Sequence, residues 1–140
     1  MIKRQGSRWK HTLVDKLNAI TKRPPLRFSE MTPKCLPARG GVYLITARAK
    51  DHEIPYYVGR TGNLRRRLYT NHLMGPESNS RLKHYLIAAR RCKDAKAGKK
   101  FLMRHCNVRW VLEGNSRHRG AIEGYVTAVL FPKYGIADEH

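Results

Sequence analysis

Two short segments rich in β-branched and aromatic residues constrain the fold of this chain more than any other sequence feature. Residues 42–46 (VYLIT) follow a turn at residues 37–41, and residues 56–59 (YYVG) follow Pro55. Residues of these types favour a pleated, half-buried strand. The loop between them, residues 47–55, is short and polar, so we expect the two strands to pair as an antiparallel hairpin.

The remaining pattern predicts a small α+β protein built around this hairpin. Apolar residues at helical spacing predict an N-terminal helix that ends at Pro24-Pro25. Residues 106–112 alternate as in a third strand, whereas the basic, turn-like residues 90–100 predict an exposed loop. We expect a three-stranded antiparallel or mixed sheet flanked by helices over residues 36–140, preceded by a basic helical extension over residues 1–35. Three later helices are predicted to begin at residues 61–63, to cover residues 78–91 and to cover residues 117–130.

The charge of the chain points to a polyanionic partner. Its 29 Lys and Arg residues outnumber its 10 Asp and Glu residues, which gives a net charge of +19. Repulsion among so many like charges works against a compact state unless a polyanion is the usual partner. Nucleic acid, DNA or RNA, is the expected partner because Lys and Arg side chains neutralise its phosphates.

An acidic membrane surface is the competing partner. It would need an amphipathic basic helix or a hydrophobic anchor, and the basic residues at the start of the chain have no apolar run behind them. The three cysteines are scattered and form no CxxC pair, which suits a reducing compartment. We therefore expect a cytoplasmic protein without a membrane partner.

Four motifs in order resemble those of the GIY-YIG nuclease family. They are Gly41-Val42-Tyr43, Tyr57-Val58-Gly59 within YVGRTGNLRRRL, Arg67, and Glu123 within IEGYVTAVLFPKYG. The resemblance spans about residues 36–135 and implies that family's fold and an endonuclease activity on DNA phosphodiester bonds. It also implies that Tyr43 activates the attacking water and that Tyr57 helps to position it. Nearby Arg60, Arg67 and a divalent metal are expected to lower the tyrosine pKa, because positive charge favours the phenolate.

Helix geometry distinguishes the roles of the arginines in the run Arg65-Arg66-Arg67. Arg66 points away from the apolar stripe of the predicted helix, whereas Arg67 flanks its edge and can be held toward the sheet to grip a phosphate. The catalytic arginine of the resembled family also falls at Arg67. Further contacts to nucleic acid are expected from Arg60, Arg65, Arg66, His72 and Lys133.

Glu123 is the only acidic residue of the predicted last helix, and it borders the apolar side of that helix. A single carboxylate suits Mg²⁺ or Mn²⁺, since such ions keep several waters and accept one carboxylate plus substrate phosphate. We therefore expect Glu123 to be the metal ligand. The alternative is an exposed ion pair with Arg117 or Arg119.

The chain departs from the family pattern at two positions. Asn71 stands where many members carry histidine or tyrosine, and Gly135 stands where they often carry asparagine. The neighbouring His72 either replaces the missing role in a slightly rotated helix or is a free surface histidine. These departures leave two other interpretations open: a domain of this type that binds DNA or RNA without cleaving it, and a basic RNA- or ribosome-associated protein. Since one site cuts one strand, double-strand cleavage would need a homo-oligomer or two successive visits.

Overall fold

The computed structural model describes residues 1–136, and its four strands form one antiparallel sheet. The spatial order of the strands is β1-β4-β2-β3, so β1 and β3 are the edges. The predicted α+β class and the antiparallel hairpin of β2 and β3 are confirmed. The predicted three-stranded sheet gains a fourth strand, which is only two residues long. The strands are β1 (Leu26–Arg27), β2 (Gly41–Arg48), β3 (Glu53–Thr61) and β4 (Cys106–Leu112).

Helices cover both faces of this sheet. They are α1 (Ser7–Lys22), a π-helix (Arg66–Leu73), α2 (Arg81–Ala88), α3 (Ala95–His105) and α4 (Ser116–Leu130), with short 3₁₀ turns at Phe28–Glu30, Pro33–Cys35 and Glu77–Asn79. None of the helices in the described part of the chain has both the length and the apolar character needed to cross a membrane.

The predicted exposed loop is found only over residues 90–94, and the prediction is wrong for residues 95–100, because α3 begins at Ala95. The carboxylate of Asp94 accepts a hydrogen bond from the backbone N–H of Ala97 and so caps the new helix. Leu102 is fully buried, and Gly98 leaves room for the aliphatic stem of Lys83. A cap and an apolar contact therefore form a helix where the local composition indicates a turn.

The sheet divides the core into two layers, because successive side chains of a strand point to opposite faces. On one face, Val42 and Leu44 pack against α1 and α4. On the other face, Tyr43 and Ile45 belong to a larger cluster that includes buried side chains of the π-helix, α2 and α3. The N-terminal segment is thus part of the layered packing, since α1 contacts α4 and β4. The predicted boundary at residue 35 stays a prediction, and residues 137–140 of the predicted domain lie outside the described residues.

The outer edge of β3 is covered at Pro55 and Tyr56 by the segment that follows α4. A bulge in the β2–β3 register leaves Tyr56 without a cross-strand partner, so that Tyr56 and Tyr57 both enter the larger cluster. After α4 the chain turns at Phe131, whose φ is 46°. The backbone N–H groups of Lys133 and Tyr134 then donate to the carbonyls of Pro55 and Tyr56, at 3.0 and 2.9 Å. Residues 57–60 of β3 line a cavity.

Candidate functional site

A cavity of about 300 Å³ lies at the edge strand β3. Its lining includes Tyr43 from β2, Tyr57 and Arg60 from β3, Arg67 from the π-helix and Glu123 from α4. Tyr43 belongs to one face of the sheet and α4 packs on the other, so these groups can meet only around an edge strand. The remaining lining residues are Val58, Gly59, Arg81, Thr127, Pro132, Tyr134 and Gly135.

Gly59 gives the Tyr43 ring its place beside the cavity. The two residues are direct partners in the β2–β3 register. A Cβ atom at Gly59 would lie 2.3 Å from the Tyr43 hydroxyl oxygen, which is closer than any real contact of that kind. The glycine of the YVG motif is therefore a steric requirement, because the tyrosine ring crosses over its backbone.

A buried chain of hydrogen bonds leads away from Tyr43. The hydroxyl oxygen of Tyr43 lies 2.8 Å from His72 Nε2, and His72 Nδ1 lies 2.7 Å from Ser80 Oγ. Ser80 Oγ also accepts a hydrogen bond from the backbone N–H of Lys83, which caps α2. Each of the three linked side chains is only 1% exposed. The chain therefore runs without solvent from the cavity to the first turn of α2.

The predicted contact between His72 and nucleic acid is wrong, because its imidazole is buried beneath Tyr43 and Tyr57. Burial lowers the pKa of His72 to about 3, and the positive charges of Arg67 and Lys83 act in the same direction. The imidazole is neutral at physiological pH. One ring nitrogen then donates a hydrogen bond and the other accepts one.

The π-helix explains how His72 reaches Tyr43. The backbone N–H of Met74 donates to the carbonyl of Tyr69, five residues back, at 3.0 Å. In this wider turn the residue five positions after Arg67, which is His72, lies on the same side of the helix as Arg67. In an ordinary α-helix the residue four positions after it would do so. His72 therefore takes the inward place, while Asn71 lines a neighbouring surface pocket with Arg66 and Arg67.

Lys83 fixes the end of the π-helix. Its ammonium donates to the carbonyls of Leu73 and Gly75, at 2.8 and 2.6 Å, and the side chain is 1% exposed. Burial, followed by the charge of Lys99, lowers the pKa of Lys83 to about 8. These two bonds satisfy carbonyls that the helix itself leaves without a partner.

Burial is the largest influence on the pKa of Tyr43 and on the pKa of Tyr57. It raises the pKa of Tyr43 and of Tyr57, whereas the charge of Arg67 opposes it at Tyr43 and that of Arg81 opposes it at Tyr57. The expectation that nearby arginines lower the pKa of Tyr43 below its ordinary value is wrong for the protein alone. In the low-dielectric site the cost of burying a phenolate exceeds the effect of Arg67.

Glu123 is half-buried and faces Arg60 across the mouth of the cavity. Its Oε1 accepts a hydrogen bond from the Arg60 guanidinium at 3.1 Å. Burial raises the pKa of Glu123, and the charges of Arg60 and Arg81 act in the opposite direction. Within residues 1–136, the alternative ion pair with Arg117 or Arg119 does not form.

The donor set at Glu123 fits a hydrated divalent ion. Glu123 is the only carboxylate among the described residues that line the cavity. No group of three His, Cys, Asp or Glu side chains suited to hold a metal occurs within residues 1–136. One carboxylate next to three arginines matches Mg²⁺ or Mn²⁺, which retain water ligands, and does not match an all-protein cage.

The other predicted binding residues have different surroundings. Arg66 is exposed, whereas Arg65 donates from Nε to the carbonyl of Leu36 at 2.9 Å and so ties the start of the helix to the preceding segment. Lys133 is exposed at the side of the cavity, with its Nζ 5.7 Å from the ring centres of Tyr56 and Tyr134.

Sequence analysis missed Arg81 and Ser80. Arg81 lines the cavity from the first turn of α2, and no local pattern distinguishes it from the other arginines of so basic a chain. Ser80 could have been recognised as a helix cap, but not as the partner of His72. Gly135, with φ of 97°, lies so close to Tyr57 that an added Cβ would be 3.2 Å from its ring. The positive φ, more than the packing, favours glycine there.

The cavity thus combines three guanidinium groups, three phenols and one carboxylate. Guanidinium groups bind phosphate oxygens through paired hydrogen bonds, and a phenol held by an imidazole can accept or pass on a proton. Comparison with protein-family models, curated proteins and solved structures found no match.

Proposed function

We propose that this chain is a metal-dependent endonuclease of the GIY-YIG type that hydrolyses phosphodiester bonds in DNA. The observation that carries the proposal is the convergence of Tyr43, Tyr57, Arg67 and Glu123, from four separate elements, on one arginine-rich cavity. The net charge of +19 supports a nucleic acid as the substrate, with RNA as the second candidate.

Arg67 and Arg60 bind the phosphate in this proposal. Both line the cavity, and a guanidinium placed there binds two oxygens of one phosphate at once. When a phosphate enters, Arg60 exchanges its contact with Glu123 for a contact with the substrate. Glu123 is then free to hold Mg²⁺ or Mn²⁺, an ion that would neutralise charge developing on the phosphate oxygens.

Tyr43 acts as the proton acceptor. It takes a proton from the attacking water while its own proton passes to His72 Nε2, 2.8 Å away. The negative charge of a bound phosphate favours the protonated imidazole, which the protein alone keeps neutral. Tyr57, 6.3 Å from Tyr43 between ring centres, positions the water. The oxygen of that water bonds to phosphorus as the bond to the leaving oxygen breaks.

The decisive experiment compares Glu123→Gln with Glu30→Gln, an exposed carboxylate outside the cavity. Both variants change the net charge equally. Nicking of circular DNA in Mg²⁺ or Mn²⁺, with EDTA as the control, is expected to fall about 1,000-fold in Glu123→Gln, because the loss of metal stabilisation costs several kcal/mol. Glu30→Gln should nick at the wild-type rate, and both variants should bind DNA at least as tightly as the wild type.

A binding-only role is the second candidate function. It is favoured by the Arg60–Glu123 ion pair, which occupies both groups, and by the raised pKa of Tyr43. If the wild-type protein nicks neither DNA nor RNA with either metal, and Glu123→Gln behaves like Glu30→Gln, the binding-only role replaces the nuclease.

A further inference from the structure

A second basic surface lies outside the cavity, on α3 and the loop before it. Residues 90–105 contain seven Lys and Arg residues against one Asp. That Asp, Asp94, caps α3, and none of the seven cations forms an ion pair within the described chain. The seven are Arg90, Arg91, Lys93, Lys96, Lys99, Lys100 and Arg104.

Part of this surface is a groove of about 420 Å³. Arg91, Lys100 and Arg104 line it, and all three are exposed. Lys100 and Arg104 are four residues apart on α3 and therefore share one face of the helix. Phe101 and His105, with ring centres 4.9 Å apart, add aromatic surface to the same groove.

Aromatic packing joins the groove to the cavity. Phe101 stacks on Tyr56 at 6.3 Å between ring centres, and Tyr56 meets Tyr134 edge-on at 5.3 Å. Tyr134 lines the cavity. The exposed ammonium of Lys133 lies 5.7 Å from the rings of both tyrosines, so a cation stands between the two sites. Aromatic packing and one exposed lysine thus lie between the cavity arginines and the cations of α3.

We propose that the α3 groove is a second binding site for the phosphodiester backbone and holds the substrate strand on one side of the cleaved bond. The proposal rests on the proposed function, because the strand in the groove is the strand that also enters the cavity. Cations without carboxylate partners suit a polyanion, and a groove lined by three of them beside aromatic rings suits a phosphodiester backbone with its bases.

The test compares two triple variants that each lose three exposed positive charges. Arg91→Ala/Lys100→Ala/Arg104→Ala alters the groove, and Arg8→Ala/Lys10→Ala/Lys22→Ala alters α1, which packs on the opposite face of the sheet. Affinity for a labelled DNA duplex is measured by fluorescence anisotropy in EDTA over a salt series. The groove variant should bind roughly 100-fold more weakly at about 0.1 M salt, with a log–log salt slope smaller by about three. The α1 variant should stay within about threefold of the wild type.

Equal losses in the two variants would show that only net charge matters and would overturn the proposal. Lys100→Gln alone should lower the salt slope by about one, which gives a second measurement with less risk to folding. An oligonucleotide too short to extend beyond the cavity should bind the wild type and the groove variant alike.

The DNA-binding measurement does not depend on whether the protein cleaves DNA. A groove variant that loses DNA affinity while the wild type never nicks DNA would refute the nuclease and leave the groove in place. A groove variant that keeps its DNA affinity but no longer binds phosphatidylserine vesicles would show that the groove serves an anionic membrane, and would refute the nucleic-acid site.

Discussion

The ring of Tyr43 lies against the backbone of Gly59, and the contact leaves no space for a methyl group. Gly124, in the middle of α4, offers the opposite environment, since an added Cβ there would meet no atom within 4 Å. Gly59 is therefore required because no larger residue fits, whereas Gly124 can be replaced without a steric clash.

We expect Gly59→Ala to displace the Tyr43 ring and break its contact with His72. The substitution should lower the free energy of unfolding by about 1–3 kcal/mol, which is typical of overpacking, and nicking should fall at least tenfold. Gly124→Ala should raise the free energy of unfolding by about 0.5–1 kcal/mol, because alanine is the better helix former. Urea denaturation and the nicking assay measure both. Unchanged stability and nicking in Gly59→Ala would show that Tyr43 has room to move.

At the scale of elements, the π-helix determines which of its polar residues face the cavity. Arg67 lines it, His72 lies beneath it, and Arg66 faces solvent. Helix periodicity alone separates Arg66 from Arg67, because the first turn is regular. It cannot place His72, whose position depends on the wider turn that follows.

Arg66→Ala and Arg67→Ala remove the same charge from adjacent positions. Arg67→Ala should reduce the nicking rate about 100- to 1,000-fold, because in the proposed mechanism it removes a donor to the reacting phosphate. Arg66→Ala should weaken DNA binding and lower the salt slope by about one, with nicking under saturating conditions unchanged. If the two variants have equal nicking rates at saturation, Arg67 is not the phosphate ligand.

The elements that the sequence predicts correctly are those with a clear local pattern. β2 and β3 carry runs of β-branched and aromatic residues, β4 alternates, and α4 carries apolar residues at intervals of three to four. The pattern is weaker for α3, where a basic run with Gly98 resembles a loop and burial of Leu102 decides the structure.

The residues of the site divide in the same way, into those that local sequence patterns predict and those whose positions depend on tertiary packing. Motif residues such as Tyr43 and Glu123 can be located in the sequence because each belongs to a short local motif. The link from His72 to Ser80 cannot, since it depends on a one-residue change of helix register and on the buried side chain of Lys83. Arg81 reaches the cavity through the position of α2, which local sequence does not encode.

For the whole molecule, the two-layer core sets the place of the site. The Tyr43 layer and the α4 layer are separated by the sheet everywhere except at the edges. The outer edge of β3 is where Arg60 reaches Glu123 on one side and Tyr57 approaches Tyr43 on the other. A buried neutral imidazole at this junction also links folding to pH.

The free energy of unfolding should decrease as the pH is lowered, because His72 is buried in its neutral form. Its pKa is about 3 in the folded state and near 6.5 in the unfolded chain, so the unfolded chain takes up a proton first as pH falls. The contribution of neutral His72 to the free energy of unfolding is fully present above about pH 6.5. Below that pH it decreases by up to about 1.4 kcal/mol per pH unit. In urea denaturation, His72→Gln should lose less stability than the wild type between pH 6.5 and about 4.5. Parallel curves for the two proteins would contradict a neutral, buried His72.

The wide turn between Arg66 and Leu73 also marks where the chain can tolerate a deletion. A π-turn holds one residue more than an α-turn needs, so removal of the exposed Thr70 would let the backbone close into ordinary four-residue hydrogen bonds. The histidine would then follow Arg67 by four positions and could keep its inward place. The same removal from the centre of α4 would instead rotate half of its apolar stripe into solvent.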